Sequence, residues 1–356
     1  MTRSRNLLLA GVAVAALILT SCSSGASTGG ATKSKDAPLE SLSVRLNFTP
    51  WAMHNYLYAA LDNGFFKARG LDVKILPAQA GQSLQFVGSG QEEVGVTDAS
   101  AMLSAVQAGA PLVAIAMDQP VSPGAFFYLA DSGIKTPKDL EGKKVCYPTN
   151  SNIHASLLAG LQNKNVDINK INFVSIAAGS EVSLVAAGEC DVSEGFSYGQ
   201  PLTLEGQGIK AGTISVDDLG VDLYGVVLFT NKKTLKDEHD KLVRFMEAVS
   251  EGQIWAYQNM TAATTATLTH AEGRTVPNEI KKAKLIYKEY PENKEFSKRW
   301  GAMTAQTWKS TIDELVSMGS LDKKLNPSDV FTNSIVDASE ATVKFATLFH
   351  KSPPSM

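Results

Sequence analysis

Cysteine is scarce, with three residues in 356, at positions 22, 146 and 190. No CxxC pair occurs, which excludes a zinc ribbon or a vicinal dithiol centre. The five histidines, His54, His154, His239, His270 and His350, are scattered without metal-ligand spacing. HExxH, P-loop and dinucleotide-binding glycine patterns are also missing, so no metal and no cofactor is expected. Charge is low too: 19% of residues are charged and the net charge is −3. No basic face suggests a nucleic-acid partner. After the first 20 residues no apolar run approaches the length of a membrane span.

The apolar run that does exist lies at the start. Arg3 and Arg5 precede an uninterrupted stretch from Leu7 to Leu19, ending in Leu19-Thr20-Ser21-Cys22. A charged start, a short apolar centre and small residues before a cysteine have the layout of a secretory signal. Such a centre spans only about 20 Å as a helix, against a hydrocarbon core of about 30 Å. The terminal tetrapeptide resembles the bacterial lipobox, which implies lipidation of Cys22. Residues 1–22 are therefore expected to be a lipoprotein signal and 23–41 a flexible linker rich in Ser, Gly, Ala, Thr and Lys. The folded part is expected to start at Leu42, outside the cytoplasmic membrane and held to it by lipid alone.

From 42 to 230 short β-branched runs alternate with helical patterns, the signature of an α/β fold with largely parallel sheets. Strands are expected at Leu42–Leu46, Val73–Leu76, Val94–Val96, Leu112–Ala116, Phe126–Leu129, Lys144–Tyr147, Asn172–Ala177, Asp191–Phe196 and Tyr224–Thr230. Asp98 or Ser100 is placed to cap a helix running to Gln107. Two similar strand–helix series imply two lobes. After Thr230 helices dominate, and Trp300, Met303, Trp308, Ile312 and Leu315 mark a long amphipathic one. Cys146 and Cys190 read as two buried free thiols, with pairing in an oxidising compartment left open.

The segment Leu46-Asn47-Phe48-Thr49-Pro50-Trp51-Ala52-Met53-His54-Asn55-Tyr56 resembles the solute-binding proteins of ABC importers for thiamine pyrimidine precursors, riboflavin, sulfonates or nitrate. The likeness is nearest to the pyrimidine-binding branch, with its aromatic–Pro turn and a His four residues after the Pro. Gly64-Phe65-Phe66, Gly70-Leu71-Asp72-Val73 and the run Asp131 to Val145 continue it in order, over essentially all of 42–345. The resemblance implies a type II periplasmic-binding-protein fold, α/β and two-lobed. The first part of lobe 1 would cover 42–126, lobe 2 would cover 127–226, and 227–350 would return as C-terminal helices packed on lobe 1. It places two crossover strands near Phe126–Ala130 and Tyr224–Asn231. It also implies a membrane permease as partner, and a monomer.

In open α/β sheets a ligand sits beyond the carboxyl ends of the strands. Those turns contain Asn47, Phe48, Trp51, His54, Gln82, Asp98, Ser100, Asp118, Asn150, Asn152, Glu181, Ser197 and Tyr198, and Tyr224 lies at the second crossover. They offer aromatic faces, amides and carboxylates but neither Lys nor Arg. That inventory suits a neutral or cationic heteroaromatic nutrient better than a small anion, which is the alternative. For Trp51, Phe48, His54 and Tyr224, packing, capping or hinge roles compete with ligand contact. A second alternative is catalytic. Gly195-Phe196-Ser197-Tyr198-Gly199 fits the nucleophile elbow G-x-S-x-G, with Asp217 or Asp222 and His239 or His270 in the right chain order. Pro201 crowds the elbow and no HGGG-like loop precedes it, so the expectation is a binding protein and not an enzyme.

Overall fold

The computed structural model describes residues 38–78, 82–149, 151, 153–221, 223–290, 296 and 298–351. The signal, Cys22 and residues 23–37 of the linker, together with Asn150, Asn152 and Asp222, lie outside the described residues.

Ten strands form two five-stranded sheets among the described residues. Lobe 1 is built on β1 (Glu40–Arg45), β2 (Leu71–Leu76), β3 (Val94–Asp98), β4 (Leu112–Met117) and β10 (Val226–Asn231), in the order β2-β1-β3-β10-β4. Lobe 2 holds β5 (Gly124–Leu129), β6 (Lys144–Pro148), β7 (Asn172–Ile176), β8 (Val192–Phe196) and β9 (Ala211–Ser215), in the order β7-β6-β8-β5-β9. The sheets are mixed rather than largely parallel. β10 runs antiparallel to both β3 and β4, and β5 runs antiparallel to both β8 and β9. A strand entering a lobe from the other one arrives in the opposite sense to those wound by helical crossovers, and this alone reverses it.

The expected crossover strands need correction. β5 and β10 each belong to one sheet, and the chain crosses just before them, through residues 118–123 and 216–225. The two crossings are bonded to each other: Ser122 N donates to Leu223 O at 3.0 Å and Gly225 N to Gln119 O at 3.2 Å. A Cβ on Gly225 would lie 2.3 Å from Val121 O, so only glycine lets the segments pass this closely.

β9 was absent from the sequence reading. Its Ala-Gly-Thr-Ile-Ser run has one large apolar residue, and Gly212 makes room for the Tyr128 ring, 2.5 Å from where a Cβ would be. Trp300 and Met303 likewise precede the helix they were expected to join, which spans Ala305–Ser317 with Thr304 as its N-cap. Cys146 and Cys190 are not free: they form a disulfide between β6 and the turn before β8. That bond sits in a cluster with Phe127, Val185 and Leu204. Of the later helices, His239–Gln258 packs on Asn55–Asp62, and Val276–Glu289 reaches both the Ala52–His54 turn and the lobe 2 helix Gln200–Gly206.

Candidate functional site

Leu46 ends the first strand's apolar pattern, and Pro50 then prevents the chain from continuing in a ladder. A 3-10 turn, Ala52–His54, follows and feeds the Asn55–Asp62 helix. The turn is anchored from another element, for Ala52 N donates to Glu279 Oε2 at 3.0 Å. A carboxylate at a helix start meets unpaired N–H groups and the positive end of the dipole. This leaves the indole of Trp51 pointing away from lobe 1.

Across the boundary it meets lobe 2. The Trp51 ring lies 6.0 Å from that of Tyr198, with the planes 29° apart, and 6.5 Å from Phe196. Both partners stand at the carboxyl end of β8. Trp51 is only 4% exposed, packed between His54 and Lys282 on one side of the boundary and Phe196 and Tyr198 on the other. His54 stands edge-on to the indole, with centroids 6.4 Å apart. Its Nε2 is 3.0 Å from Asn47 Oδ1, an acceptor, which assigns the proton to Nε2. Its Nδ1 lone pair has no hydrogen-bond partner among the described residues. Burial and, next, the Arg274 charge push the His54 pKa down to about 3, so the ring is neutral at physiological pH.

Two cations frame this seam that the strand-end inventory lacked. Lys282, 2% exposed, donates to Glu279 Oε1 at 2.7 Å and to Thr203 Oγ1 of lobe 2 at 3.1 Å. Its Nζ lies 5.7 Å from the Trp51 ring centroid. Burial pushes its pKa down from the ordinary lysine value and Glu279 pushes it back up. Arg274 reaches Thr49 Oγ1 at 3.2 Å and Glu279 Oε1 at 3.4 Å, with its guanidinium 5.9 Å from the Phe48 ring centroid. The signal for Lys282 was present in the sequence. Glu279, Lys282, Ala283, Ile286 and Tyr290 recur at helical spacing, so the two charges fall on the apolar face of the helix.

The other predicted residues separate. Phe48 is at the rim, 38% exposed. Gln82 Oε1 accepts from Arg45 Nη1 at 3.5 Å. Asp98 is buried at the N-cap position without a side-chain capping bond, and Ser100 follows it within the Ala99–Gln107 helix. Glu181 turns back on its own loop, accepting from Gly179 N at 3.0 Å. Tyr224 takes the core role left open for it: its hydroxyl accepts from Thr304 N at 3.0 Å and its ring packs on Trp308. Asp118 is buried behind the Ala52–His54 turn with Tyr56 and Tyr290, beside a cavity of about 10 Å³ lined by Tyr56, Gln253, Tyr287 and Tyr290. Burial raises its pKa to about 8, with the two tyrosine hydroxyls opposing the shift.

The elbow around Ser197 exists as a strand-to-helix turn, with Ser197 N donating to Pro123 O at 2.9 Å. Its histidine partners are elsewhere. His239 faces Ser334, at 3.3 Å from Oγ, and His270 stacks on Tyr58 with centroids 4.5 Å apart. Among the described residues no group of three or more His, Cys, Asp or Glu is arranged to hold a metal ion. No helix among them is long and apolar enough to cross a membrane.

Three relatives place this geometry. The formylaminopyrimidine-binding protein of Halalkalibacterium halodurans is 26% identical over 91% of this chain and 97% of its own length. The 4-amino-5-hydroxymethyl-2-methylpyrimidine phosphate synthase THI13 of Saccharomyces cerevisiae is 25% identical over 60% of this chain and 66% of its own. Among solved structures, the aliphatic sulphonate-binding protein SsuA of Escherichia coli superposes with a TM-score of 0.64 at 17% identity, over 82% of this chain and 91% of that one. At that identity the likeness carries the fold alone: a two-lobed type II periplasmic-binding-protein architecture. The family model described as NMT1/THI5 like matches residues 51–263, from the Trp51 turn through both lobes, and this chain belongs to that family.

Proposed function

We propose that this chain is the solute-binding component of an ABC import system and that its ligand is a pyrimidine of the thiamine-precursor class. The observation carrying the reading is the pair of rings facing each other across the lobe boundary. A flat heterocycle stacked on both faces needs its neighbours about 7 Å apart, two contact distances of about 3.5 Å. Trp51 and Tyr198 are at 6.0 Å and tilted by 29°. The two rings are packed on each other and buried, so admitting a ring between them means parting them by about its thickness, about 3.5 Å. The neutral His54, with an acceptor at Nδ1, stands edge-on beside the slot, placed to receive a ring N–H or an exocyclic amino group. The relative named for formylaminopyrimidine binding, matched over nearly its whole length, supports the same class.

In this reading the lobes close on the ligand, which shifts an open–closed equilibrium by its differential affinity for the closed form. A membrane permease then takes the loaded protein. The mature chain begins at a lipidated Cys22, residues 23–41 tether it outside the membrane, and it acts as a monomer. The test is a thermal-shift panel of pyrimidines, flavins, sulfonates and nitrate on protein lacking residues 1–22. A ligand at about 100 times its Kd adds about 2.7 kcal/mol of stability, several degrees in melting temperature. Stabilisation by pyrimidines is expected; stabilisation by sulfonate or nitrate alone overturns the reading.

A further inference from the structure

The ammonium of Lys282 lies over the Trp51 ring, 5.7 Å from its centroid, and is held from both lobes. Glu279, three residues earlier on the same helix, accepts one proton from lobe 1. Thr203 Oγ1 accepts a second from lobe 2, at 3.1 Å. Thr203 lies five residues beyond Tyr198 and moves with it. Parting Trp51 and Tyr198 by the thickness of a ring, about 3.5 Å, carries Thr203 away and breaks a bond that is 3.1 Å long in this structure. An N–H is then released 5.7 Å from the Trp51 ring centroid, within reach of a substituent on a ring stacked there. A buried ammonium deprived of one acceptor strongly favours finding another.

We propose that Lys282 is a specificity-determining residue that donates to an oxygen substituent on the bound heterocycle, which takes the place of Thr203 as its acceptor. This rests on the pyrimidine reading above and adds the substituent chemistry that Lys282 selects: a hydroxyl, carbonyl or phosphate oxygen at the ring edge rather than an alkyl group. Glu279 fixes the direction of the lysine stem, because the same carboxylate is pinned by Ala52 N. The residue that holds Trp51 in place thereby also aims the donor.

The test titrates two probes into the full chain by calorimetry: 4-amino-5-hydroxymethyl-2-methylpyrimidine, and the same ring with a plain methyl in place of the hydroxymethyl. Wild type is expected to prefer the hydroxymethyl compound by about tenfold or more, the range of a hydrogen bond to a charged group. Lys282→Met should abolish that preference, leaving the two compounds bound with equal affinity. Thr203→Val, which frees the ammonium without altering it, should tighten the hydroxymethyl compound selectively, and it decides the matter if Lys282→Met does not fold. Equal weakening of both compounds in either variant means that the ammonium only holds the lobes together, and overturns the proposal. Wild type that binds both compounds alike overturns it as well, with the pyrimidine reading intact. Wild type that binds neither overturns both.

Discussion

Replacing Trp51 by alanine tests the slot directly, and two opposed terms set the size of its effect. With ligand bound, the indole supplies one of two stacking faces, and truncating such a face costs about 1–3 kcal/mol per base. Without ligand, the same indole stacks on Tyr198 at 6.0 Å and on Phe196 at 6.5 Å, contacts that the ligand must displace. Losing the empty-state pairing returns about 0.5–1.5 kcal/mol to binding, because the slot no longer has to be parted. The net loss is then about 1 kcal/mol, or a rise in Kd of about 5-fold. Trp51→Phe keeps a face on both sides of the balance and should stay within about threefold of wild type. Calorimetry with the best ligand of the panel measures both. Unchanged or tighter binding in Trp51→Ala would show that the ligand does not stack on this ring, and the slot would cease to be the site.

Two stability predictions follow from buried groups outside the slot. Cys146 and Cys190 are separated by 44 positions, so in the chain-entropy model their bond lowers the entropy of the unfolded chain by an equivalent of about 4 kcal/mol. Urea denaturation of the Cys146→Ser, Cys190→Ser double variant should show a loss of that order, and a loss below about 1 kcal/mol would mean that lobe 2 is not constrained by it. Asp118, with its pKa raised to about 8 by burial, binds a proton in the folded state that an ordinary carboxylate releases near pH 4. Its contribution is whole below about pH 4 and is lost as pH rises through the window up to about 8. Asp118→Asn does not titrate, so its melting temperature should exceed that of wild type above about pH 8, by several degrees, and match it near about pH 4. Parallel pH profiles for the two proteins would refute the assignment.

Much of this fold could be read from residue patterns, and the misses have definite causes. β1, the Pro50 turn and the helix after it announce themselves through alternation, a backbone that cannot continue a ladder, and helical spacing. The direction of β5 and β10 does not, because an antiparallel entry depends on which lobe the previous strand left, a tertiary fact with no local mark. β9 was lost to its glycine, whose value lies in the ring of Tyr128 above it. The disulfide could not be distinguished from two thiols, since spacing carries no information about which strands become neighbours. The structure brings Trp51, Tyr198, His54 and Asn47 next to one another. Lys282, Arg274 and Thr203 escaped the sequence reading because a search of strand ends never visits a helix from the C-terminal part. A charged pair at helical spacing on an apolar face was the available cue.

The family contains proteins named as binders and proteins named as synthases, so the groups around the slot bear on which chemistry this chain is equipped for. A general base works best with a pKa near the operating pH. His54, the imidazole at the slot, sits at about 3, held there by burial and a neighbouring guanidinium. It is therefore a poor proton acceptor at neutral pH but a good fixed dipole. The Lys282 ammonium is tied to Glu279, and of the histidines in elbow order His239 faces Ser334 and His270 stacks on Tyr58. What the slot offers in place of acid–base groups is contact made equally with a ring at rest: two aromatic faces, a neutral acceptor and a donor. Such uniform binding raises affinity without lowering a barrier. Under the proposed function, that affinity acts on the balance between open and closed lobes.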